Sequence, residues 1–211
     1  MLTHLARSRR AARVHVLSPS MPPELIVVAA STGGPTVLRE LITALPSDLG
    51  VPVLVVQHLP TTFVESFVAQ LSRLSETTIR LAEPGALVSP GVWFAPGGAH
   101  TGVRRHRDNQ LRFVVNEGVP ILGCQPAADV LFGSAASACE GRCLGLVLSG
   151  MGRDGCEGAR RIVEAGGRVI VQDKASSAVW GMPGSVARAG LASRVLSPEA
   201  IKTELVRLAS S

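Results

Sequence analysis

The sequence has no tyrosine and only five phenylalanines and two tryptophans in 211 residues. The aromatic platforms on which single-stranded nucleic acids stack are therefore scarce. The formal charge of +5 does not restore a nucleic-acid reading. Acidic residues are missing from the first 23 positions, which hold Arg7, Arg9, Arg10 and Arg13, and the rest sets 17 cations against 16 acids, a balance of +1. No nucleic-acid partner is expected from so even a distribution. The C-x-x-C spacing is also absent, since Cys124, Cys139, Cys143 and Cys156 form no such pair and no secretory signal precedes them. A disulfide framework or a closed zinc site has no basis here; no disulfide partner is expected, and a reduced, cytoplasmic protein is the simplest account. No apolar run approaches the ~18 residues of a membrane helix, so direct membrane insertion is not expected.

What is present is a hydrophobic content of 46%, enough for one sizeable core in a chain of this length. We expect one domain over residues 24–211, preceded by a flexible Arg-rich tail or linker stub over residues 1–23. Its pattern is a repeated strand, tight turn and helix. Residues 25–30 form a short apolar run, Ser31-Thr32-Gly33-Gly34 breaks it, and Pro35 suits the first turn of a helix whose buried face is Leu38, Leu41, Ile42 and Leu45. A second unit follows, with residues 53–56 as strand, Gln57-His58-Leu59-Pro60 as turn, and Phe63, Val64, Phe67, Val68 and Leu71 as helix face. There Thr62 and Glu65 have the spacing of a capping box.

The middle is richer in strand signals, including a hairpin with arms near residues 101–104 and 111–115. Helix and strand then alternate again: residues 127–138, a strand at 144–148, a Gly-rich turn at 149–155, a helix, and a strand at 168–172. The expected fold class is α/β: a doubly wound, mostly parallel sheet with helices on both faces and an antiparallel β-hairpin insertion.

Ser31, His58 and Asp154 each stand just beyond a separate apolar strand. In open α/β sheets ligands bind outside the carboxyl ends of the strands, which would bring these three to one rim. A serine hydroxyl needs a base, an imidazole can serve, and a carboxylate on the other ring nitrogen fixes its tautomer. The chain order Ser, His, Asp is not that of the α/β-hydrolases, and the G-x-S-x-G elbow is absent. Gly33 and Gly34 allow a sharp turn at the start of a helix, where free N–H groups could hold an oxyanion. Gly150, Gly152 and Gly155 allow the loop carrying Met151 and Asp154 to approach a substrate, with the Met151 N–H as a second donor.

Each residue also has a plainer reading. Residues 31–34 alone would suit a phosphate cradle, although G-x-G-x-x-G and the P-loop lysine are both missing. Asp154 alone could be the N-cap of its own following helix. His100 is a rival base, Cys156 a thiol near Asp154, and Arg104, Arg105, His106 and Arg107 a hairpin tip that is either solvated or offered to an acidic partner.

Taken together, several segments resemble the catalytic domain of the chemotaxis receptor methylesterases (CheB). They are Ala30-Ser31-Thr32-Gly33-Gly34, Gln57-His58, Phe94-Ala95-Pro96-Gly97, Asp129-Val130-Leu131-Phe132, Gly150-Met151-Gly152-Arg153-Asp154-Gly155 and Gly181-Met182-Pro183, in the family's order over residues 24–197. The resemblance implies Ser31 as nucleophile, His58 as base, Asp154 as its orienting carboxylate, and Thr32 and Met151 lining an oxyanion site. It implies a γ-glutamyl methyl ester on a methyl-accepting receptor helix as substrate, deamidation of receptor glutamines in some members, and no metal or organic cofactor. Two features depart from the pattern. Only about two dozen residues precede the first strand, where relatives carry a phosphorylatable receiver of ~100. Cys124-Gln125-Pro126 stands where many relatives have His-Arg-Pro. A nucleotide- or phosphate-binding module and a catalytically silent receptor-binding adaptor are the competing expectations.

Overall fold

In the computed structural model of the chain, residues 22–209 are described; the tail expected over residues 1–23 falls, up to residue 21, outside them. The chain runs β1 (Leu25–Ala30), α1 (Gly34–Ile42), β2 (Pro52–Gln57), α2 (Thr61–Leu74), β3 (Ile79–Leu81), β4 (Gly91–Phe94), β5 (His100–Arg105), β6 (Leu111–Asn116) and α3 (Ala128–Cys139). It continues through β7 (Cys143–Val147), α4 (Cys156–Glu164), β8 (Arg168–Gln172), α5 (Met182–Arg188), β9 (Arg194–Leu196) and α6 (Pro198–Ala209). Seven strands form one sheet in the order β3-β4-β2-β1-β7-β8-β9, every pairing parallel, while β5 and β6 pair antiparallel with each other in a separate two-stranded sheet.

The central strands are continuous apolar runs because both of their faces are covered. Leu25, Val27 and Ala29 of β1 point into one core with α3, α4 and α5, and Ile26, Val28 and Ala30 into the other with α1, α2 and α6. The hairpin takes a helix's place on the first face: Phe113 packs on Trp93 with ring centroids 5.0 Å apart, and the Val103 N–H donates to Ser134 Oγ of α3 at 3.0 Å. This is the doubly wound α/β fold with a hairpin insertion that the pattern predicts. Among the described residues no helix is long and apolar enough to cross a membrane.

Local expectations fail in three places. The capping box is not formed, because α2 starts at Thr61 with Pro60 as N-cap, so Thr62 already lies inside the first turn and no side chain caps the helix. Asp154 does not cap α4, whose N-cap is Gly155 in the left-handed conformation. Arg105 is not a free hairpin-tip cation: it pairs with Glu24 at 2.6 Å and donates to the Ala138 and Asn109 carbonyls.

What positions the site is the place of β1 in the sheet. It lies between β2 and β7, and the chain winds outward from it in both directions, which makes its carboxyl end the topological switch point. The turns after β2, β1 and β7 are therefore neighbours on one edge. Hydrogen bonds carry the ladder past the strand ends: the N–H groups of His58, Leu148 and Ser31 donate to Ala30, Ala29 and Ser149 carbonyls at 2.9, 2.9 and 3.0 Å.

Candidate active site

Ser31 follows β1 in a turn closed by the Gly34 N–H donating to the Ser31 carbonyl at 2.8 Å. Gly33 makes this possible. It sits at φ +82°, and a Cβ there would stand 2.6 Å from the Ala178 Cβ. Gln57, the buried last residue of β2, braces the turn by donating from Nε2 to the carbonyls of Ser31 and His58, both at 3.1 Å. Ser149 braces it from the other side, donating its hydroxyl to the Thr32 carbonyl at 2.8 Å. The sequence places Gln57 only in the turn after its strand and in the Gln57-His58 segment, and Ser149 only at the start of the Gly-rich turn; a polar residue directly after an apolar run was the available signal for a bracing role.

The loop after β7 lies directly against Ser31. An added Cβ on Gly150 would meet the Met182 sulfur and come within 2.8 Å of Ser31 Cβ, so only glycine permits this approach. Met151 projects outward, 69% exposed, and Gly152 and Gly155 both take φ of +86° on either side of Asp154. Gly34 opens α1 against Gln57. Among the described residues, the N–H groups of Thr32 and Met151 donate to no protein acceptor. Two backbone donors are thus free on the two turns that flank Ser31.

His58 and Asp154 are in contact, although 96 residues separate them. Nε2 of His58 lies 2.8 Å from Oδ2 of Asp154, whose residue is 2% exposed. The same carboxylate accepts the Ala128 and Asp129 N–H groups at 2.7 and 2.9 Å and the Gly155 N–H at 2.9 Å. Asp154 therefore does cap a helix, but it is α3. Asp129 answers by accepting the Gly158 N–H of α4 at 2.7 Å, so two helix N-termini are tied by exchanged carboxylates. Burial alone would raise the Asp154 carboxyl; the hydrogen bond from His58 and those from the Ala128 and Asp129 N–H groups together outweigh it and hold the carboxyl below its ordinary range. An ionised carboxylate accepts only, so His58 carries its proton on Nε2 and presents the Nδ1 lone pair.

The neighbour of Nδ1 is Cys124, with Sγ at 3.8 Å. Among the described residues no hydrogen bond joins the Ser31 hydroxyl to His58. Burial, followed by the Asp154 and Asp129 carboxylates, pushes the Cys124 thiol up. All four cysteines are free thiols; Cys139 and Cys143 are buried, burial pushing the first up to about 12 and the second well up, and Cys156 opens α4 packed on the α3-side core.

His100 is not placed as a base. Its Nδ1 accepts the Ala127 N–H at 3.2 Å and its Nε2 faces the Val119 carbonyl at 3.1 Å, which engages both ring nitrogens. It ties the start of the hairpin to the segment that carries Cys124.

Fold and edge define a parallel α/β protein in which a serine-bearing turn at the switch point adjoins a partly exposed histidine held by a buried aspartate. The chain belongs to the CheB methylesterase family, whose model matches residues 26–205. It is 46% identical over 179 residues to the protein-glutamate methylesterase/protein-glutamine glutaminase 2 of Caulobacter vibrioides, covering 84% of this chain and 52% of that one. A protein-glutamate methylesterase/protein-glutamine glutaminase of Nocardioides is 46% identical over 201 residues, covering 93% of this chain and 54% of that one. The chain thus spans about half the length of the curated relatives it matches. The crystal structure of the Thermotoga maritima CheB methylesterase catalytic domain superposes with a TM-score of 0.85 at 36% identity, covering 89% of this chain and 100% of that one.

Proposed function

We propose that this chain is a serine hydrolase that demethylates γ-glutamyl methyl esters on a helix of a methyl-accepting chemotaxis receptor in the cytoplasm. The observation that carries the reading is the His58–Asp154 hydrogen bond beside the Ser31 turn. It fixes which imidazole nitrogen takes a proton, and that nitrogen is Nδ1. The relatives' names supply the substrate class.

In this reading Ser31 Oγ attacks the ester carbonyl carbon as its proton passes to His58 Nδ1. The tetrahedral oxyanion is held by the free N–H groups of Thr32 and Met151, donors that cost no reorganisation because the turns already present them. Collapse breaks the carbon–oxygen bond, methoxide takes the proton from His58 and leaves as methanol, and a water activated by the same nitrogen frees Ser31 and glutamate. A glutamine amide attacked in the same way would release ammonia, the deamidase reaction named for the relatives. Such hydrogen bonds are commonly long in a free enzyme and tighten once substrate is bound, which suits the Ser31 hydroxyl. The Cys124 thiol, although it stands 3.8 Å from Nδ1, is pushed toward its protonated form and is the poorer nucleophile.

The reading is tested by methanol release from a receptor fragment carrying methylated glutamates. Release by this chain is expected; stabilisation by nucleotides or phosphate without release would favour a phosphate-binding module instead. A finer outcome concerns the loop. Gly150→Ala should lower turnover about 100-fold in a chain that still folds, because the added carbon pushes the Met151 donor away from Ser31 and misplacements near 1 Å have effects of that order. Circular dichroism with steady-state kinetics checks it, and wild-type turnover would remove Met151 from the oxyanion site.

A further inference from the structure

Cys124, His58 and Asp154 each offer a metal-ligating atom, and the three atoms lie within 4.8 Å of one another. The pattern is invisible to cysteine spacing, because its members come from three separate segments 30 to 96 residues apart. His58 cannot use Nε2 for a metal while Asp154 holds it, so the available pair is Nδ1 and the Cys124 sulfur, 3.8 Å apart. At the usual ~2.3 Å zinc–sulfur and ~2.05 Å zinc–nitrogen lengths, a tetrahedral centre keeps its sulfur and nitrogen ligands about 3.6 Å apart. The observed separation needs only a small closing movement.

We propose that Cys124 Sγ and His58 Nδ1 form an inhibitory site for a thiophilic divalent cation of the zinc class. A metal-bound imidazole characteristically donates its other N–H to a carboxylate, and Asp154, anchored by three backbone N–H groups, is that carboxylate. Thiolate and imidazole together select zinc, cobalt or copper over magnesium and calcium. Both side chains are partly exposed, so two coordination positions open to water, and the cation enters without unfolding the edge. On binding, the thiol releases its proton to solvent, a sulfur–metal bond forms, and the Nδ1 lone pair becomes the second ligand bond. That lone pair is the one the proposed hydrolysis needs, so the metal silences the base. The inhibitory half of the inference rests on the proposed function; the binding half does not.

The test uses the purified chain with its thiols kept reduced by a phosphine. Cobalt(II) titration should raise a thiolate-to-cobalt absorption band in the near ultraviolet that is lost in Cys124→Ala and in His58→Ala and kept in Cys156→Ala. No band, or one that survives in Cys124→Ala, overturns the site. In parallel, micromolar zinc should stop methanol release by the wild type, EDTA should restore it, and Cys124→Ala, measured against its own zinc-free rate, should need more than about tenfold more zinc for half inhibition. Equal zinc sensitivity in the two chains, or none in the wild type, overturns the inhibitory role. A chain that releases no methanol at all contradicts the esterase reading, while the cobalt band still decides the site.

Discussion

Ser31→Ala should abolish methanol release while leaving the fold intact, lowering turnover by about 10^4 to 10^6-fold, the range seen when the nucleophile of a serine–histidine–aspartate constellation is removed. The hydroxyl makes no hydrogen bond to His58, and Ser31 supports its turn through its backbone N–H and carbonyl, so the alanine variant keeps those contacts. Steady-state methanol assays, with thermal unfolding as the control, check this outcome. Undiminished release would leave Cys124, at 3.8 Å from Nδ1, as the nucleophile to consider.

Asp154→Asn should be nearly as damaging, by about 10^4-fold, and for a reason readable in the four hydrogen bonds of the carboxylate. Oδ1 accepts from Asp129 and Gly155 N–H groups, whereas Oδ2 accepts from the Ala128 N–H and His58 Nε2. An asparagine must put its NH2 against one of these sets. Facing it toward Ala128 and His58 loses one backbone partner rather than two, so the amide donates to Nε2. The imidazole proton then moves to Nδ1, where it blocks acceptance from Ser31. The same substitution should cost about 2 kcal/mol at pH 7, since a charged acceptor at the N-terminus of α3 is lost. Because the folded carboxyl is held low, the contribution of Asp154 is complete above the ordinary aspartate range near ~4 and is lost as pH falls through the lower folded value. Urea unfolding of both chains should therefore show a stability gap at pH 7 that narrows in acid; a gap independent of pH would mean that the carboxylate's charge contributes nothing.

The fold was largely legible because burial of β1, β2, β7 and β8 on both faces leaves uninterrupted apolar runs, and because Gly33 and Pro35 punctuate the first turn. Beyond Gln172 no element was assigned: β9 has three residues and α5 only seven, too short for a periodic signal, whereas the twelve-residue α6 buries Ile201, Leu205 and Leu208 at a helical spacing that was open to reading. The serine, histidine and aspartate stood out by position at strand ends. Their partners did not. That Asp154 caps α3 rather than α4, that Cys124 lies on Nδ1 of His58, and that His100 is engaged through both nitrogens are long-range pairings with no local pattern to announce them. The capping box at Thr62 fails for a local reason: α2 starts two residues earlier than that motif requires, with Pro60 rather than Thr62 as N-cap. The family resemblance reached further than periodicity could, and it is where the substrate expectation came from.

The nucleophile itself can be observed. A glutamyl receptor peptide carrying a p-nitrophenyl ester in place of the methyl ester should acylate the chain faster than water clears it, so acid quenching during the burst and mass mapping would locate the bond. The account predicts an acyl group on Ser31, absent from the His58→Ala chain. An acyl group on Cys124, or full hydrolysis with Ser31 never modified, would contradict it.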